Sequence, residues 1–416
     1  MPRLMVIVTA PFLATVLGCG GDAGSPAEPA GPPATATAAA SSPLVFRQVS
    51  AGSEHTCGVT TDNKAYCWGR NDSGELGRAP YEPDICEEGF FACSRRPVAV
   101  ASGVLFQNVS AGAAFSCGVA TDARAWCWGN NGVGQLGDGT TTSPLKPVAV
   151  KGGHLFRQVT TGDSHACGLT TDDRIYCWGA NYAGQLGDGT QATRLVPVAV
   201  AGGRTWQLVS AGGGFTCALT TDNQAFCWGE NTLGELGDSS TATQRLVPVR
   251  VAGSRRFKQL SSGAGHTCAV TFGAEAFCWG FGESGQLGNG RTANARWPKA
   301  VSGGLAIDRV TGGSFHTCAR TFGNKAYCWG RNDEAQLGIG TQSGPNVCPL
   351  SQCSTRPVAV AGGLSFVQVD AGGLHTCARD KSNLAYCWGD NFLLQSGGGP
   401  EFGRTVPAPA PVHGPL

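Results

Sequence analysis

The chain of 416 residues carries 30 basic and 29 acidic residues, so its formal net charge is +1, and 14% of its residues are charged. This balance excludes the concentrated positive charge that nucleic-acid binding requires, and we expect no nucleic-acid partner. Glycine is abundant (63 residues) and recurs at fixed repeat positions, which indicates tight turns rather than a low-complexity chain. The 19 cysteines are the most informative part of the composition.

Residues 1–18 have the pattern of an export signal. Arg3 precedes an apolar run that is too short to cross a bilayer. The following Val16-Leu17-Gly18-Cys19 resembles a bacterial lipobox, in which a signal peptidase cuts before a cysteine that carries lipid. We therefore predict a lipoprotein-type signal peptide over 1–18 and lipid attachment at Cys19. The alternative is an ordinary secretory signal followed by an incidental cysteine.

The segment after the signal is built from small residues and proline. Residues 19–43 contain no large apolar side chain, so they cannot bury a core, and we predict a disordered tether. Gly20, rather than aspartate, follows Cys19, and by resemblance to the lipoprotein sorting rule this favours the outer membrane. The sequence does not say which side of that membrane the protein faces.

From residue 44 to 416 a unit of about 50 residues recurs seven times. The first copy contains HTCGVTTDNKAYCWG, and the first cysteines of successive copies are 60, 50, 50, 51, 50 and 59 residues apart. Each unit has four short strand-like segments; in the first they are 46–50, 55–60, 64–68 and 97–100, the last beginning at a proline. Together they predict an all-β fold, a seven-bladed β-propeller of four-stranded antiparallel blades whose first and last blades meet.

Each unit also carries two cysteines ten residues apart. A three-residue turn at 61–63 would place Cys57 directly opposite Cys67, near the reach of a disulfide. Reduced, buried cysteines are the alternative, and zinc binding fits the spacing less well, so no metal site is predicted. The predicted hairpin disulfides are Cys57–Cys67, Cys117–Cys127, Cys167–Cys177, Cys217–Cys227, Cys268–Cys278, Cys318–Cys328 and Cys377–Cys387.

Two insertions, at 78–96 and 339–356, interrupt the period. Each brings a close cysteine pair, for which we predict the disulfides Cys86–Cys93 and Cys348–Cys353. In a ring of seven, the two loops would rise from the same face and flank blade seven. Stapled loops on a rigid scaffold suit partner binding, although they could instead only cap the rim. The candidate partner-binding residues are Tyr81, Phe90, Phe91, Arg95 and Arg96.

Polar residues that could suggest catalysis follow the repeat instead. Five histidines share one repeat position, which phenylalanine fills in the other two units, and this favours a packing role. The aspartates recur in turns and loops, whereas catalytic carboxylates would be single-copy and convergent. We therefore predict no catalytic set and no cofactor. The histidines are His55, His165, His266, His316 and His375.

The repeat core, C-W-G-x-N-x-x-G-[QE]-L-G, resembles the repeats of the regulator of chromosome condensation family over about 44–416. The resemblance implies a seven-bladed propeller. The founding member is an exchange factor for a small GTPase, but none of its exchange residues matches a position here, and its basic tail is absent. We expect a monomeric, non-enzymatic, lipid-anchored scaffold that binds a protein or cell-wall ligand outside the cytoplasm. The alternatives are an exchange regulator in a reducing cytosol, an inhibitor of an extracytoplasmic enzyme, and an enzyme with a site in the central channel.

Overall fold

The computed structural model describes residues 43–79, 91–398 and 403–414. Within these ranges the chain forms 29 strands and no helix. The strands build seven antiparallel sheets in which sequential strands are neighbours, and this confirms the seven-bladed β-propeller. The predicted signal peptide, Cys19 and all but the last residue of the tether lie outside the described residues.

The first four blades contain β1 (Phe46–Ala51), β2 (His55–Thr60), β3 (Ala65–Arg70), β4 (Cys93–Ala99), β5 (Phe106–Ala111), β6 (Phe115–Ala120), β7 (Ala125–Gly129), β8 (Val148–Ala149), β9 (Phe156–Thr161), β10 (His165–Thr170), β11 (Ile175–Gly179), β12 (Arg194–Ala199), β13 (Trp206–Ala211), β14 (Phe215–Thr220), β15 (Ala225–Glu230) and β16 (Gln244–Arg250). The last three contain β17 (Phe257–Ser262), β18 (His266–Thr271), β19 (Ala276–Gly280), β20 (Ala295–Ala300), β21 (Ile307–Gly312), β22 (His316–Thr321), β23 (Ala326–Arg331), β24 (Asn346–Cys348), β25 (Ser351–Ala359), β26 (Phe366–Ala371), β27 (His375–Asp380), β28 (Ala385–Asp390) and β29 (Thr405–Pro411). Blade six has five strands because its insertion adds β24.

The middle hairpin of each blade has the predicted register. In blade one the amide of Thr60 donates to the carbonyl of Lys64 at 2.9 Å, and Cys57 lies opposite Cys67. The third turn residue is left-handed in every blade, with φ between 59° and 68°. Four of these seven residues are asparagine and one is aspartate, which are the non-glycine side chains that best tolerate this conformation. The turn chemistry therefore sets which residues face each other. The left-handed residues are Asn63, Ala123, Asp173, Asn223, Ala274, Asn324 and Asn383.

The prediction that the fourth strand begins at a proline is wrong: in six blades the strand begins before the proline, and β8 begins at Val148, directly after Pro147. In blade one, β4 begins at Cys93, four residues before Pro97. The register jumps between the pairs Cys67–Val98 and Gly69–Ser94, so Pro97 lies in a bulge of an edge strand. A proline is tolerated there because the ladder needs no amide donor at that position.

The core lies between neighbouring blades. Cys57, Val59 and Cys67 of blade one form a buried cluster with Phe106 and Trp128 of blade two. The repeat tryptophan of each blade is fully buried, and its Nε1 donates to a backbone carbonyl in the preceding blade at 2.8–3.0 Å. One side chain thus supplies both apolar contact and a satisfied polar bond at each blade boundary.

The ring closes by side-chain and backbone hydrogen bonds between blades rather than by a shared strand. Around the inner strands, an amide of each blade donates to a side-chain oxygen of the blade before it, as Ala111 does to Ser50 at 3.1 Å. At the junction of blades seven and one, the acceptor is the carboxylate of Asp370, which the amide of Ala51 reaches at 2.9 Å. The first and last blades therefore make the same kind of contact as any other pair.

A glycine follows each inner strand where the blades approach most closely. A Cβ on Gly52 would lie 2.6 Å from the carbonyl oxygen of Gly112 in the next blade and 2.9 Å from His55. The glycine is needed for this close approach, because its φ is not in the left-handed region. The equivalent glycines are Gly112, Gly162, Gly212, Gly263, Gly313 and Gly372.

We predict that Gly52→Ala lowers the free energy of unfolding by about 1–3 kcal/mol, because the added methyl group forces the first two blades apart. The matched control is Gly132→Ala, whose Cβ would meet only an ordinary contact at 3.6 Å and whose φ is not left-handed. Urea unfolding of both variants measures the difference. Equal midpoints for the two variants would show that the inner strands of neighbouring blades can move apart to accept a methyl group at little cost.

Candidate functional site

The propeller has two distinct faces. We define the hairpin face by the turns between second and third strands, such as 61–63. The loop face carries the connections that leave the third strands. Both insertions follow a third strand, β3 in blade one and β23 in blade six, so both emerge on the loop face on either side of blade seven. The structure therefore brings them to the same face, as the sequence predicts.

Both insertions are held at the base by an equivalent aspartate. The amide of Ala92 donates to Asp72, and the amide of Gln352 donates to Asp333, each at 2.8 Å. In each case an arginine two residues earlier, Arg70 or Arg331, forms an ion pair with that aspartate at 2.8 or 2.9 Å. The tripeptide Arg-Asn-Asp occurs at this repeat position only in these two units. This tripeptide therefore indicates an insertion whose base is bonded to an aspartate, a signal that is absent from the sequence predictions above.

Phe91 packs beside blade seven. It contacts a small cluster formed by buried Cys93 and Leu393, and the guanidinium of Arg70 lies 5.8 Å from its ring centre. The unusual NFLLQSG loop of blade seven thus supports the first insertion. Tyr81, Phe90 and Cys86 lie outside the described residues, so their predicted roles and the pairing Cys86–Cys93 stay predictions.

The two predicted arginines lie in β4. Arg95 is exposed, whereas Arg96 is half-buried and its backbone carbonyl accepts a bond from the hydroxyl of Ser94 at 2.9 Å. Both lie at the bulge of an edge strand. Arg95 is therefore available to a partner at the outer rim of blade one.

The second insertion forms a short β-hairpin, which we name the blade-six arm and define as residues 344–354. Its strands β24 and β25 pair with each other, and the Cys348–Cys353 disulfide closes it with Cα atoms 5.9 Å apart. The side chains of Val347 and Leu350 are 81% and 61% exposed. The arm thus holds two apolar side chains in solvent on a cross-linked frame. The only sequence signal for this exposure is the pair of apolar residues close to Cys348 in NVCPLSQC.

The seven hairpin cysteine pairs lie with Cα atoms 4.0–4.1 Å apart and are joined as disulfides. Every one of these cysteines is fully buried. They staple the second and third strands of each blade at the level of the core. Eight of the nine predicted pairs are therefore formed within the described residues.

The repeat histidines join neighbouring blades. Nε2 of His165 lies 2.8 Å from the hydroxyl of Thr216, and that hydroxyl donates to the carbonyl of Gln185 at 2.9 Å. Because the hydroxyl hydrogen is used there, Nε2 must be the protonated ring nitrogen, and Nδ1 is left without a partner. Burial lowers the pKa of His165 to about 4, so the ring is neutral. The other four make the same contact.

The periodic carboxylates serve turns and loops. Asp188 accepts the amide of Thr190 at 2.9 Å and pairs with Arg194 at 2.7 Å. Glu75 is buried and accepts the amide of Ser73 at 2.8 Å, which is the bond that glutamine makes in most other blades. Burial raises the pKa of Glu75. These contacts are structural, as their recurrence predicts.

Among residues 43–79, 91–398 and 403–414, no group of three or more histidine, cysteine or acidic side chains could hold a metal ion. The same part of the chain contains no helix long and apolar enough to cross a membrane.

The fold and its surfaces define a class of protein, a disulfide-linked β-propeller with two inserted loops on one face. The chain belongs to the RCC1-like domain family, whose model matches residues 15–269 and 96–415. The two overlapping matches are expected of near-identical repeats that can be aligned in more than one register.

Known proteins resemble this chain in sequence over limited segments. The ultraviolet-B receptor UVR8 of Arabidopsis thaliana is 30% identical over 100 residues, which cover 24% of this chain and 21% of the receptor. The probable human E3 ubiquitin-protein ligase HERC3 is 31% identical over 90 residues, 22% of this chain and 8% of the ligase. The chain thus aligns with about a fifth or less of these relatives.

Solved structures share the fold over most of the chain. Human WBSCR16 superposes with a TM-score of 0.71 at 22% identity, covering 81% of this chain and 88% of that one. Yeast RCC1 (Prp20), solved bound to Kap60, gives a TM-score of 0.72 at 20% identity, covering 89% and 85%. At these identities the likeness shows a common fold.

Proposed function

We propose that this protein is a non-enzymatic binding scaffold. It engages a protein or cell-wall ligand through its loop face, and lipid on Cys19 holds it at the outer membrane. The family supports a binding role, since yeast RCC1 was solved in complex with Kap60 and Prp20p has binding properties to Gsp1p and histones. The lipobox and the disulfides support a location outside the cytoplasm, where disulfides persist.

The exposed arm of blade six carries this proposal. Val347 and Leu350 are exposed in a hairpin held by a disulfide and by Asp333, so little conformational entropy is lost when they are buried by a partner. Apolar side chains held rigidly in solvent are typical of interaction surfaces. Across blade seven, the first insertion and Arg95 would form the other edge of the same surface.

We predict that Val347→Asp combined with Leu350→Asp reduces partner binding by about tenfold or more without changing the unfolding midpoint, because both side chains are exposed. The matched control is Leu155→Asp, a residue 50% exposed on the hairpin face. Photo-crosslinking from position 345 in native membranes would identify the partner, and titration of that partner would compare the three proteins. Equal affinity for all three would remove the arm from the interface.

The location requires its own test. Intact mass of protein from its own membranes, with thiol alkylation before and after reduction, is expected to show a diacyl or triacyl increment on a chain starting at Cys19. We expect the remaining 18 cysteines to be protected until reduction. An unprocessed chain with free thiols would instead favour the exchange-regulator alternative.

A further inference from the structure

The central channel opens on the hairpin face and is basic on one side. The inner strands line a cavity of about 650 Å³. Four arginines line it, and three of them belong to the adjacent blades six and seven. The four are Arg47, Arg309, Arg320 and Arg379.

Arg320 and Arg379 break the repeat at a blade boundary. They occupy a second-strand position that pairs with the inner strand, and in the other five blades this position holds a buried valine or leucine. Those five blades show that the fold closes well with an apolar residue there. Placing arginine at such a boundary costs desolvation energy, and the five apolar equivalents show that blade packing does not require it. The apolar equivalents are Val59, Val119, Leu169, Leu219 and Val270.

Arg309 breaks a second rule of the repeat. At the equivalent position of blade one, Gln48 joins its blade to blade two by two hydrogen bonds, which we call the glutamine clamp. Its side-chain nitrogen donates to the carbonyl of Val109 at 2.8 Å, and its side-chain oxygen accepts from the amide of Val109 at 2.9 Å. Glutamines of blades three, five and seven make the same clamp. Arg309 is exposed, and its side chain has no hydrogen bond or ion pair within the described residues. Blades two and four, with Asn108 and Leu208 at this position, also lack the glutamine, but blade six is the one that places a cation there.

The positive charge is only partly neutralised. Arg320 pairs with Asp308 and bonds Asn324, whereas Arg379 bonds Asn383 and its buried Nε has no partner in the described residues. Burial lowers the pKa of Arg379; Asp380 opposes this effect and the charge of Arg320 adds to it.

Among the described residues that line this cavity there is one acid, Asp370, and it joins blades. Asp370 accepts bonds from Ala51 and Thr311, at 2.9 and 3.0 Å, in the inner ring. It is therefore used to join blades rather than to neutralise the arginines.

Two exposed phenylalanines lie beside the basic mouth. Phe272 and Phe322 are 64% and 62% exposed in the hairpin turns of blades five and six. The other five turns have threonine or lysine at this position. Phe322 lies two residues after Arg320, and Nζ of Lys258 is 4.5 Å from its ring centre and 3.4 Å from Asp308. Lys258, Phe322 and Arg320 thus lie close together around Asp308, and Phe272 occupies the equivalent turn of the neighbouring blade.

We propose that this surface, the channel mouth at blades five to seven, binds an acidic peptide segment of a partner protein. Carboxylates of the segment would pair with Arg309, Arg320 and Arg379, since guanidinium groups bind carboxylates with two parallel bonds. Apolar residues beside them would cover Phe272 and Phe322. Arginine stays protonated, so the cluster suits anion binding and not the proton transfer that a channel-located enzyme would need. The surface lies opposite the blade-six arm and does not depend on the function proposed above.

The test uses two fluorescein-labelled peptides, GEEFEEFG and its amide counterpart GQQFQQFG, and measures anisotropy with the full-length protein. The acidic peptide is expected to bind at least about tenfold more tightly, and its affinity is expected to fall as salt is raised. Equal affinity for the two peptides would overturn the proposal.

Each substitution introduces the residue that other blades have at the same repeat position. Arg309→Gln, Arg320→Val and Arg379→Val together are expected to abolish preference for the acidic peptide and to raise the melting temperature, because buried charges leave the blade boundaries. Arg157→Gln, an arginine of the hairpin face in blade three, is the control and is expected to bind as the parent protein does. A triple variant that folds and binds the acidic peptide normally would refute the assignment.

A last pair of measurements separates a peptide from a free anion. Phe272→Thr with Phe322→Thr, which copies the other turns, is expected to weaken the acidic peptide several-fold. Inorganic phosphate is expected to compete only weakly. Full competition by phosphate, together with no effect of the phenylalanine changes, would show a small-anion site and overturn the peptide proposal.

Discussion

Reduction of the hairpin disulfides is expected to cause the largest loss of stability in this protein. Each disulfide closes a ring of eleven residues, for which the chain-entropy model gives about 3 kcal/mol, and the seven contributions do not simply add. A second cost arises in the native state. The paired Cα atoms are 4.0–4.1 Å apart in a fully buried core, and two unbonded sulfur atoms need more room than one disulfide. We expect the urea midpoint to fall sharply under a reductant.

Matched double variants separate the core staples from the arm. Removing one hairpin bridge with Cys217→Ala and Cys227→Ala is expected to lower the free energy of unfolding by about 3 kcal/mol. Removing the arm bridge with Cys348→Ala and Cys353→Ala is expected to lower it by less, because this bridge closes a ring of only six residues at the outer strand of blade six. Equal losses for the two double variants would contradict this view of where the disulfides act.

Acidification is expected to destabilise the propeller below about pH 6.5, through the five buried histidines. Burial lowers the pKa to about 3 for His55, His316 and His375 and to about 4 for His165 and His266. The unfolded chain, with ordinary pKa values near 6.5, binds more protons between about pH 6.5 and 4, so stability falls as the pH falls through this window. Each histidine contributes at most about 1.4 kcal/mol per pH unit.

The physical cause is burial, which disfavours the charged ring, and the second proton would have to bind at Nδ1, which has no hydrogen-bond partner among the described residues. Asp370 acts in the opposite direction over a narrower window, because burial raises its pKa to about 6 and its folded form binds the additional proton. Burial also raises the pKa of five further acids, so the profile of the parent protein sums both effects and the matched variant below isolates the histidine contribution. These acids are Glu75, Asp163, Glu235, Glu334 and Asp390.

The pH dependence is measured by urea unfolding at successive pH values, with His165→Phe as the matched variant. Phenylalanine already occupies this position in blades two and four, as Phe115 and Phe215, so the variant is expected to fold. Its free energy of unfolding should fall less steeply with decreasing pH than that of the parent protein. The difference in slope should equal the contribution of one histidine, at most about 1.4 kcal/mol per pH unit. Identical slopes would mean that His165 does not titrate on unfolding.

Much of the candidate site depends on contacts between residues that are distant in the sequence, and the repeat pattern does not predict these contacts. The two insertions could be placed on one face, because a fixed strand order determines where each connection emerges. The packing of Phe91 against Leu393, and the exposure of Val347 and Leu350, could not be predicted, because both depend on neighbours that fold in from distant parts of the chain. The arginine cluster was equally hidden, since Arg309 and Arg379 are far apart in the sequence and line the same cavity only after blades six and seven pack together.

The sequence alone determined the number of blades and the register of every middle hairpin. Those features are local: a turn such as 61–63, with Asn63 in the left-handed region, decides within eleven residues that Cys57 faces Cys67. Only the tertiary structure decided how the blades join. The bonds from Trp68 to Gln395 and from His375 to Thr56 span more than 300 residues, and they exist because seven similar wedges close a ring. The turn residues thus determine the structure of each blade, whereas the packing of the seven blades into a ring determines which side chains meet on its surfaces.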